Sequence, residues 1–281
     1  MAHNSTHILR HIFYVYSHAP KDRQGPDLIS WPLRLIEGAL EGYFMPNHTV
    51  RAYDDELEAL DRKIAEMGGL AEKMLSDAMG ALSDFDAKLA LEAIDSDPRL
   101  DLLQREIEEQ AILTIARRQP VAADLREIVA AIRISNDLER IGDLAKNIAK
   151  RAIKISPEMR TPRCVIGLRS MHDLAAMLLK DVLDAYAQRD VERARGVWIR
   201  DADLDALEDS VFRDLLTFMM EDPRNISFCA HLLFCSKNLE RIGDHSTNIA
   251  ETLVYFVTGE PLPMERPKGR SSISASPMRV V

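Results

Sequence analysis

Two identical pairs of acidic side chains are the residues of this chain whose type and spacing could do chemistry. Glu139 and Asp143 are four residues apart, and so are Glu240 and Asp244. On a helix, side chains four residues apart lie one turn from each other on the same face. Two like charges in that position repel each other and weaken the helix by roughly a few tenths of a kcal/mol. A bound cation would relieve this repulsion, and the alternative is a solvated helix face.

Each pair lies within the same hexapeptide, Leu-Glu-Arg-Ile-Gly-Asp, which spans residues 138–143 and again 239–244. The copies are 101 residues apart (240 − 139 = 101), and at the same offset Ser135 is repeated as Ser236. The tripeptide Asn-Ile-Ala follows both copies at an equal distance. A long identity at one offset indicates an internal duplication. Because a solvated surface does not require identical residues, the repetition favours a common role for the two acidic pairs.

The helical geometry of the first hexapeptide predicts where its carboxylates point. Apolar residues around it recur at helical spacing and form one stripe, made of Ile128, Val129, Ile132, Leu138, Ile141, Leu144, Ala145 and Ile148. With Ile141 at the centre of that stripe, Glu139 and Asp143 lie about 160° and 200° away from it. We therefore expect both carboxylates to point away from the core.

A second set of acidic pairs occurs earlier in each half, Asp97 with Asp101 and Asp201 with Asp205. Relative to a core leucine of the same helix, both pairs lie about 120° and 160° off the apolar stripe and are predicted to face outward. The alternative for Asp97 and Asp201 is a structural role, since acidic residues near a helix start also serve as caps and dipole partners.

In a helical bundle the outer flanks of adjacent helices form a groove, so that Asp97 and Asp101 could approach Glu139 and Asp143. Four carboxylates converging without a lysine would hold a hard cation such as Mg²⁺, Ca²⁺, Mn²⁺ or iron. His245 has no counterpart in the first half and is predicted to be a surface histidine.

The composition indicates an all-helical protein. Aromatic residues make up only 6% of the 281 residues, and glycine and proline are few. The net charge of −9 does not indicate the positively charged surface that binds nucleic acid, but it suits cations or a basic partner surface. No apolar run approaches the ~20 residues that span a bilayer, and no signal peptide is evident. Three cysteines in no metal-like spacing favour reduced thiols and a cytoplasmic protein.

Six amphipathic helices are predicted, at about residues 53–84, 86–117, 122–155, 165–186, 190–215 and 226–258. The second of them either continues through Asp97-Pro98 or breaks there. Asp86 is predicted to cap the middle helix of the first half, and Asp190 is predicted to start the middle helix of the second. Proline follows Gln119 and Asp222 and ends the helix before each hexapeptide-bearing helix. The predicted fold is all-α, with two tandem three-helix bundles.

The predicted boundaries place the first repeat at residues 45–155 and the second at residues 165–258. Residues 1–44 differ in composition and are predicted to be a disordered extension, with Met45 as the native start. The histidines at positions 3, 7 and 11 would share one helix face that could bind a transition metal, but disorder is favoured over that alternative. Residues 259–281 are predicted to be a disordered tail.

The doubled hexapeptide with its downstream Asn-Ile-Ala, in two three-helix repeats, resembles the PhoU family over about residues 50–258. The resemblance implies a cytoplasmic, all-helical and often dimeric protein that is not an enzyme. It implies negative regulation of the phosphate-starvation response, by connecting the ATPase subunit of a phosphate importer with a membrane sensor histidine kinase. The association with the membrane complex would be peripheral.

The resemblance also implies a cofactor, because Glu/Asp-x-x-x-Asp motifs bind iron or other metals, such as Mn, Mg or Zn, in some members, as multinuclear clusters. Glu139/Asp143 and Glu240/Asp244 match those motifs, and the acidic pairs of the middle helices are similar to them. Two rival functions stay open. One is a metal-dependent phosphatase or oxidase, against which the missing histidine ligands and nucleophile count. The other is a helical scaffold that binds no metal.

Overall fold

A computed structural model describes residues 47–155 and 162–263, with side chains described for 53–155 and 165–263. These ranges form six long α-helices and no strand: α1 Asn47–Asp84, α2 Ala87–Arg118, α3 Ala122–Lys154, α4 Pro162–Gln188, α5 Val191–Glu221 and α6 Ile226–Thr258. A 3₁₀ turn, Pro223–Asn225, joins α5 to α6. The predicted all-α class and its two three-helix repeats are confirmed, with α1–α3 forming the first repeat and α4–α6 the second.

The turn before the middle helix has the same structure in both repeats. Phe85 and Arg189 adopt left-handed backbone conformations, with φ of 57° and 55°. The next residues, Asp86 and Asp190, cap α2 and α5, because their carboxylates accept hydrogen bonds from amide groups of the first helical turn. The predicted cap at Asp86 and the predicted helix start at Asp190 are therefore confirmed, and matching positions of α2 and α5 are 104 residues apart (190 − 86 = 104).

Helix α2 continues through Pro98, which decides between the two alternatives that the sequence left open. Proline has no amide hydrogen, so one backbone hydrogen bond is missing at this point of the helix. The helix ends at Arg118, and Gln119 follows with a left-handed φ of 49° before Pro120. The break between α2 and α3 is therefore where the proline predicts it.

The buried apolar side chains of both repeats form one continuous core. Ile141 and Ile242, from the two hexapeptides, are fully buried in it, as the helical stripe predicts. Arg189 ties the repeats together, since its guanidinium lies 2.8 Å from Asp61 Oδ2 on α1 and 2.5 Å from Glu127 Oε1 on α3. The contacts within the chain place α4 to α6 and nearly all of α1 to α3 in one compact unit.

Several expectations concern the ends of the chain and the cysteines. The extension, its three histidines and Met45 lie outside the described residues, as do Cys164 and residues 264–281. The described start of the tail differs from the prediction, because Leu262 is 9% exposed and packs on the core. Cys229 and Cys235 are buried, as expected for inert thiols. No described helix has the unbroken apolar length that crossing a bilayer requires.

Candidate functional site at the paired acidic motifs

The glycine of each hexapeptide brings two helices into close contact. A Cβ atom on Gly142 would lie 2.1 Å from Leu100 Cδ2, and one on Gly243 would lie 2.4 Å from Leu204 Cδ2. Glycine lets α3 cross α2, and α6 cross α5, at this separation without displacing these leucine side chains. The helical pattern of the sequence predicts no role for these glycines, although their repetition beside the acidic residue is a signal of a structural role. Each crossing places the acidic pair of the middle helix next to the hexapeptide.

In the first repeat a lysine lies between the two acidic pairs. Lys146 Nζ is 2.7 Å from Asp97 Oδ2 and 2.5 Å from Asp143 Oδ1, and the lysine side chain is only 18% exposed. The expectation of carboxylates converging without a lysine is therefore wrong in this repeat. Lys146 lies one turn beyond Asp143, and its flexible stem is long enough to reach the neighbouring helix. Burial acts to lower the pKa of Lys146, but its hydrogen bonds to Asp143 and Asp97 outweigh burial and raise the pKa.

Glu139 is a carboxylate of the first hexapeptide that is unfavourably placed for its charge. Burial raises its pKa, and the nearby charges of Asp143 and Asp101 raise it further. Arg140 partly offsets this from the outside, with Nε 3.5 Å from Glu139 Oε2 and Nη1 3.8 Å from Asp143 Oδ2. The influence of Asp101 on Glu139 agrees with the expected approach of the middle helix to the hexapeptide.

The second repeat has no lysine at the matching position, where Thr247 replaces Lys146. Asp201, which matches Asp97, is 1% exposed, and a Cβ on Gly243 would lie 2.7 Å from its Oδ1 atom. The carboxylate of Asp201 is thus packed against the backbone of α6, next to the hexapeptide.

The lysine of the second repeat lies at the opposite end of the motif. Lys237 Nζ donates to Glu240 Oε1 at 2.6 Å, while Glu240 Oε2 is buried and has no hydrogen-bond partner among the described residues. Burial raises the pKa of Glu208, and Lys237 partly offsets that effect. The first repeat has an uncharged amide pair at these positions, with Gln104 Nε2 donating to Asn136 Oδ1 at 2.5 Å.

The prediction that all these carboxylates point to solvent is wrong for Asp201 and overstated for three others. Glu139 and Glu240 keep 16% of their side-chain surface exposed, and Asp97 keeps 13%. Asp205 is exposed, as predicted. The helical wheel assumed one buried stripe, whereas α3 and α6 each pack against a middle helix and against each other, so that their flanks are covered as well.

The metal expected from the resemblance fits these side chains differently in the two repeats. Among the side chains described, residues 53–155 and 165–263, no three His, Cys, Asp or Glu groups are arranged as a metal site. In the first repeat Lys146 hydrogen-bonds two of the expected ligands, Asp97 and Asp143, so the arrangement does not fit a metal ion. In the second repeat Thr247 replaces that lysine, Glu240 has a buried oxygen with no hydrogen-bond partner among the described residues, and the charge of Glu240 acts on Glu208 of the middle helix, so the lysine that occupies the first site is absent here.

A polar cleft of about 610 Å³ opens between α3 and α6, where the two repeats meet. It is lined by the same four positions of each repeat, namely Arg140 and Arg241, Asp143 and Asp244, Leu144 and His245, and Asn147 and Asn248. His245 is therefore not an isolated surface histidine, since its Nδ1 lies 2.9 Å from Asp137 Oδ1. These four positions recur in both repeats at the same offset, and this repetition is the sequence signal for the cleft.

Comparison with known proteins agrees with this architecture. The model of the PhoU domain matches residues 64–152 and 168–253, once in each repeat. The phosphate-specific transport system accessory protein PhoU homolog of Rhizobium meliloti is 53% identical over 221 residues, covering 79% of this chain and 93% of that protein. The homolog of the same name from Caulobacter vibrioides is 49% identical over 224 residues, with 80% and 97% covered.

Solved structures show the same fold. The crystal structure of PhoU from Pseudomonas aeruginosa is 39% identical, has a TM-score of 0.72, and is matched over its whole length by 74% of this chain. The phosphate transport system regulatory protein PhoU from Streptococcus pneumoniae is 27% identical, with a TM-score of 0.69 and coverage of 75% and 100%. The doubled domain, the shared hexapeptide crossings and these relatives together establish that the chain belongs to the PhoU family.

Proposed function

We propose that this protein is a regulatory adaptor of phosphate transport and not an enzyme. The relatives that support this are accessory and regulatory proteins of phosphate transport systems. The observation that carries the proposal is the cleft between the repeats, which equivalent residues of both repeats line. A duplicated polar surface suits recognition of a partner, whereas catalysis needs one nucleophile, one base and a reacting centre in unequal roles.

The partners we propose are the ATPase subunit of the phosphate importer and a sensor histidine kinase of the phosphate-starvation response. Through them the protein would keep that response switched off when phosphate is plentiful. It would act in the cytoplasm, as a homodimer, with only peripheral association to the membrane complex. The acidic balance of the chain supports basic protein surfaces as partners and disfavours nucleic acid.

We also propose that the protein binds a metal ion in the second repeat. Glu240, Asp244 and Asp205 are the proposed ligands, with Asp201 beside them on α5. A bound Mn²⁺, Mg²⁺, Zn²⁺ or iron ion would neutralise clustered carboxylates and hold α5 against α6. The chain's own contribution is to keep Glu240 largely buried, with one oxygen that has no hydrogen-bond partner among the described residues.

A metal-dependent phosphatase or oxidase is the rival function, and the raised pKa values of Glu139 and Glu208 are the observation in its favour. Assays of both activities on protein reconstituted with Fe, Mn, Mg or Zn discriminate between the two. Turnover that disappears with Glu240→Gln would favour the enzyme over the adaptor.

A deletion strain tests the adaptor function. Without the gene, a reporter of the phosphate-starvation genes should stay on in phosphate-rich medium, and the wild-type gene should switch it off. The double variant Arg140→Ala with Arg241→Ala, which alters both sides of the cleft, should fail to do so. Arg133→Ala is the matched control, because Arg133 is an exposed arginine of α3 that does not line the cleft. A reporter that is unchanged in the deletion strain would contradict the proposal.

A further inference from the structure

The two acidic motifs of this chain differ at one position that decides how their charge is neutralised. Lys146 is hydrogen-bonded to both Asp97 and Asp143, which belong to different helices. The matching residue of the second repeat is Thr247, whose side chain is uncharged. The hexapeptide, which ends three residues before this position, is identical in the two repeats, so the acidic pair is the same and the neighbouring cation differs.

We propose that the ammonium group of Lys146 takes the place of a metal ion in the first repeat and closes that site to divalent cations. The lysine would make the first motif independent of metal, and cation binding would be confined to the second motif. The inference rests on the proposed function only in its account of the second repeat.

The contacts of Lys146 explain why a divalent cation would not displace it. The ammonium group holds one carboxylate of α2 and one of α3 while 18% exposed, and Asp97 is itself 13% exposed. Removing the lysine would leave two largely buried carboxylates without their hydrogen-bond donor, which costs more than losing an exposed ion pair. The lysine is also covalently attached one turn from Asp143, so it competes with a free metal ion as an intramolecular partner of that carboxylate.

The two repeats also differ at a second pair of matching positions, and the lysine that contacts the second motif lies there and not at the position of Lys146. Gln104 and Asn136 form a neutral hydrogen bond in the first repeat, and Glu208 and Lys237 stand at the matching positions in the second. Lys237 therefore neutralises the Glu240 end of its motif, three residues before that glutamate. Each acidic motif is contacted by one lysine, Lys146 or Lys237, and Lys146 is the one that bridges two helices, α2 and α3, at the Asp143 end of its motif.

The test measures Mn²⁺ binding by the full chain when the second site has been neutralised. In protein carrying Glu240→Gln and Asp244→Asn, titration with Mn²⁺ followed by electron paramagnetic resonance should show no bound ion. Adding Lys146→Thr, which copies the second repeat, should give about one bound Mn²⁺ per chain at saturation. A further Asp143→Asn should abolish this binding. Lys150→Thr is the matched control, because Lys150 is an exposed lysine one turn further along α3.

Thermal melts in a metal chelator supply a second readout that does not depend on binding. Lys146→Thr should melt about 2–4 °C below wild type in the chelator, and Mn²⁺ should restore the loss. Lys150→Thr should melt with wild type. Lys146→Gln, which keeps the length of the side chain but not its charge, replaces Lys146→Thr if the threonine variant does not fold.

Two results would overturn the inference. One is a Mn²⁺ ion bound by the Glu240→Gln, Asp244→Asn protein with Lys146 intact and lost on Asp143→Asn, since the metal would then displace the lysine. The other is a Lys146 variant that binds no Mn²⁺ and melts with wild type in the chelator. Both are distinct from failure of the adaptor function, which the deletion reporter measures, and from absence of metal in the second repeat of the wild type.

Discussion

Asp137 of α3 and His245 of α6 are 2.9 Å apart, from Oδ1 to Nδ1, and join the two repeats beside the cleft. The duplicated positions are occupied by Asn238 and Leu144, which cannot form this pair. Asn248 adds a longer hydrogen bond, 3.4 Å from its Nδ2 to the same carboxylate oxygen. One side of the junction between repeats is thus held by a charged hydrogen bond that the duplication does not reproduce on the other side.

Replacing His245 with leucine should destabilise the protein by about 1–2 kcal/mol, because the partly buried carboxylate of Asp137 loses its main donor. The double variant Asp137→Asn with His245→Leu reproduces the residues of the other side and should recover most of that loss. Urea unfolding of the wild type, both single variants and the double variant measures the coupling. Strictly additive effects would mean that the two side chains are merely adjacent.

Gly142→Ala should destabilise the protein by about 1–3 kcal/mol, since the new methyl group would lie 2.1 Å from Leu100 Cδ2 in a packed core. Gly69→Ala is the matched control, because Gly69 is an exposed helical glycine of α1 with nothing within 4 Å of an added Cβ. The control should instead stabilise by roughly 0.5–1 kcal/mol through helix propensity. Denaturant midpoints measure both, and equal shifts would show that α3 is not held close to α2 at this glycine.

Glu139→Gln should stabilise the metal-free protein at neutral pH, by roughly a few tenths of a kcal/mol, because it removes a repelled and half-buried charge. Burial and the neighbouring carboxylates raise the pKa of Glu139 in the folded state, so the folded state binds this proton more tightly than the unfolded state. The favourable contribution of Glu139 to the free energy of unfolding is therefore complete in acid, and it is lost as the pH rises through the raised pKa. Wild type and variant should converge in acid and separate towards pH 7 in chemical unfolding.

Glu56→Gln is a control for which the opposite pH dependence of stability is expected. Hydrogen bonding from Arg118 lowers the pKa of Glu56, and Arg118 Nη2 lies 2.8 Å from Glu56 Oε1. The stabilising contribution is therefore present above the ordinary pKa of a glutamate and is lost as the pH falls through the lowered value. This variant should be less stable than wild type at neutral pH and should approach it in acid. If the two variants had the same pH dependence, the different environments of Glu139 and Glu56 would not govern it.

Helix type and helix ends could be predicted because the signals for them are local. Asp86 and Asp190 cap helices with their own carboxylates, and Pro120 interrupts the chain through its missing amide hydrogen and restricted φ. The helix that carries the second hexapeptide was predicted at 226–258 and is found at Ile226–Thr258. The orientation of the carboxylates was less well predicted, because a helical wheel identifies one buried stripe and cannot count the neighbours on its flanks.

The sequence by itself determined the duplication, the six helices and the buried apolar stripe, because repetition, capping and 3.6-residue periodicity are properties of neighbouring residues along the chain. Only the tertiary structure decided that Lys146 bridges Asp97 and Asp143, that Asp201 is buried, and that His245 joins Asp137. The contacts of Lys146 with Asp97 and of His245 with Asp137 link residues 49 and 108 positions apart and depend on the rotation and separation of packed helices. Gly142 and Gly243 allow that separation because they have no side chain. A side chain added at either position would clash with a residue of the neighbouring helix.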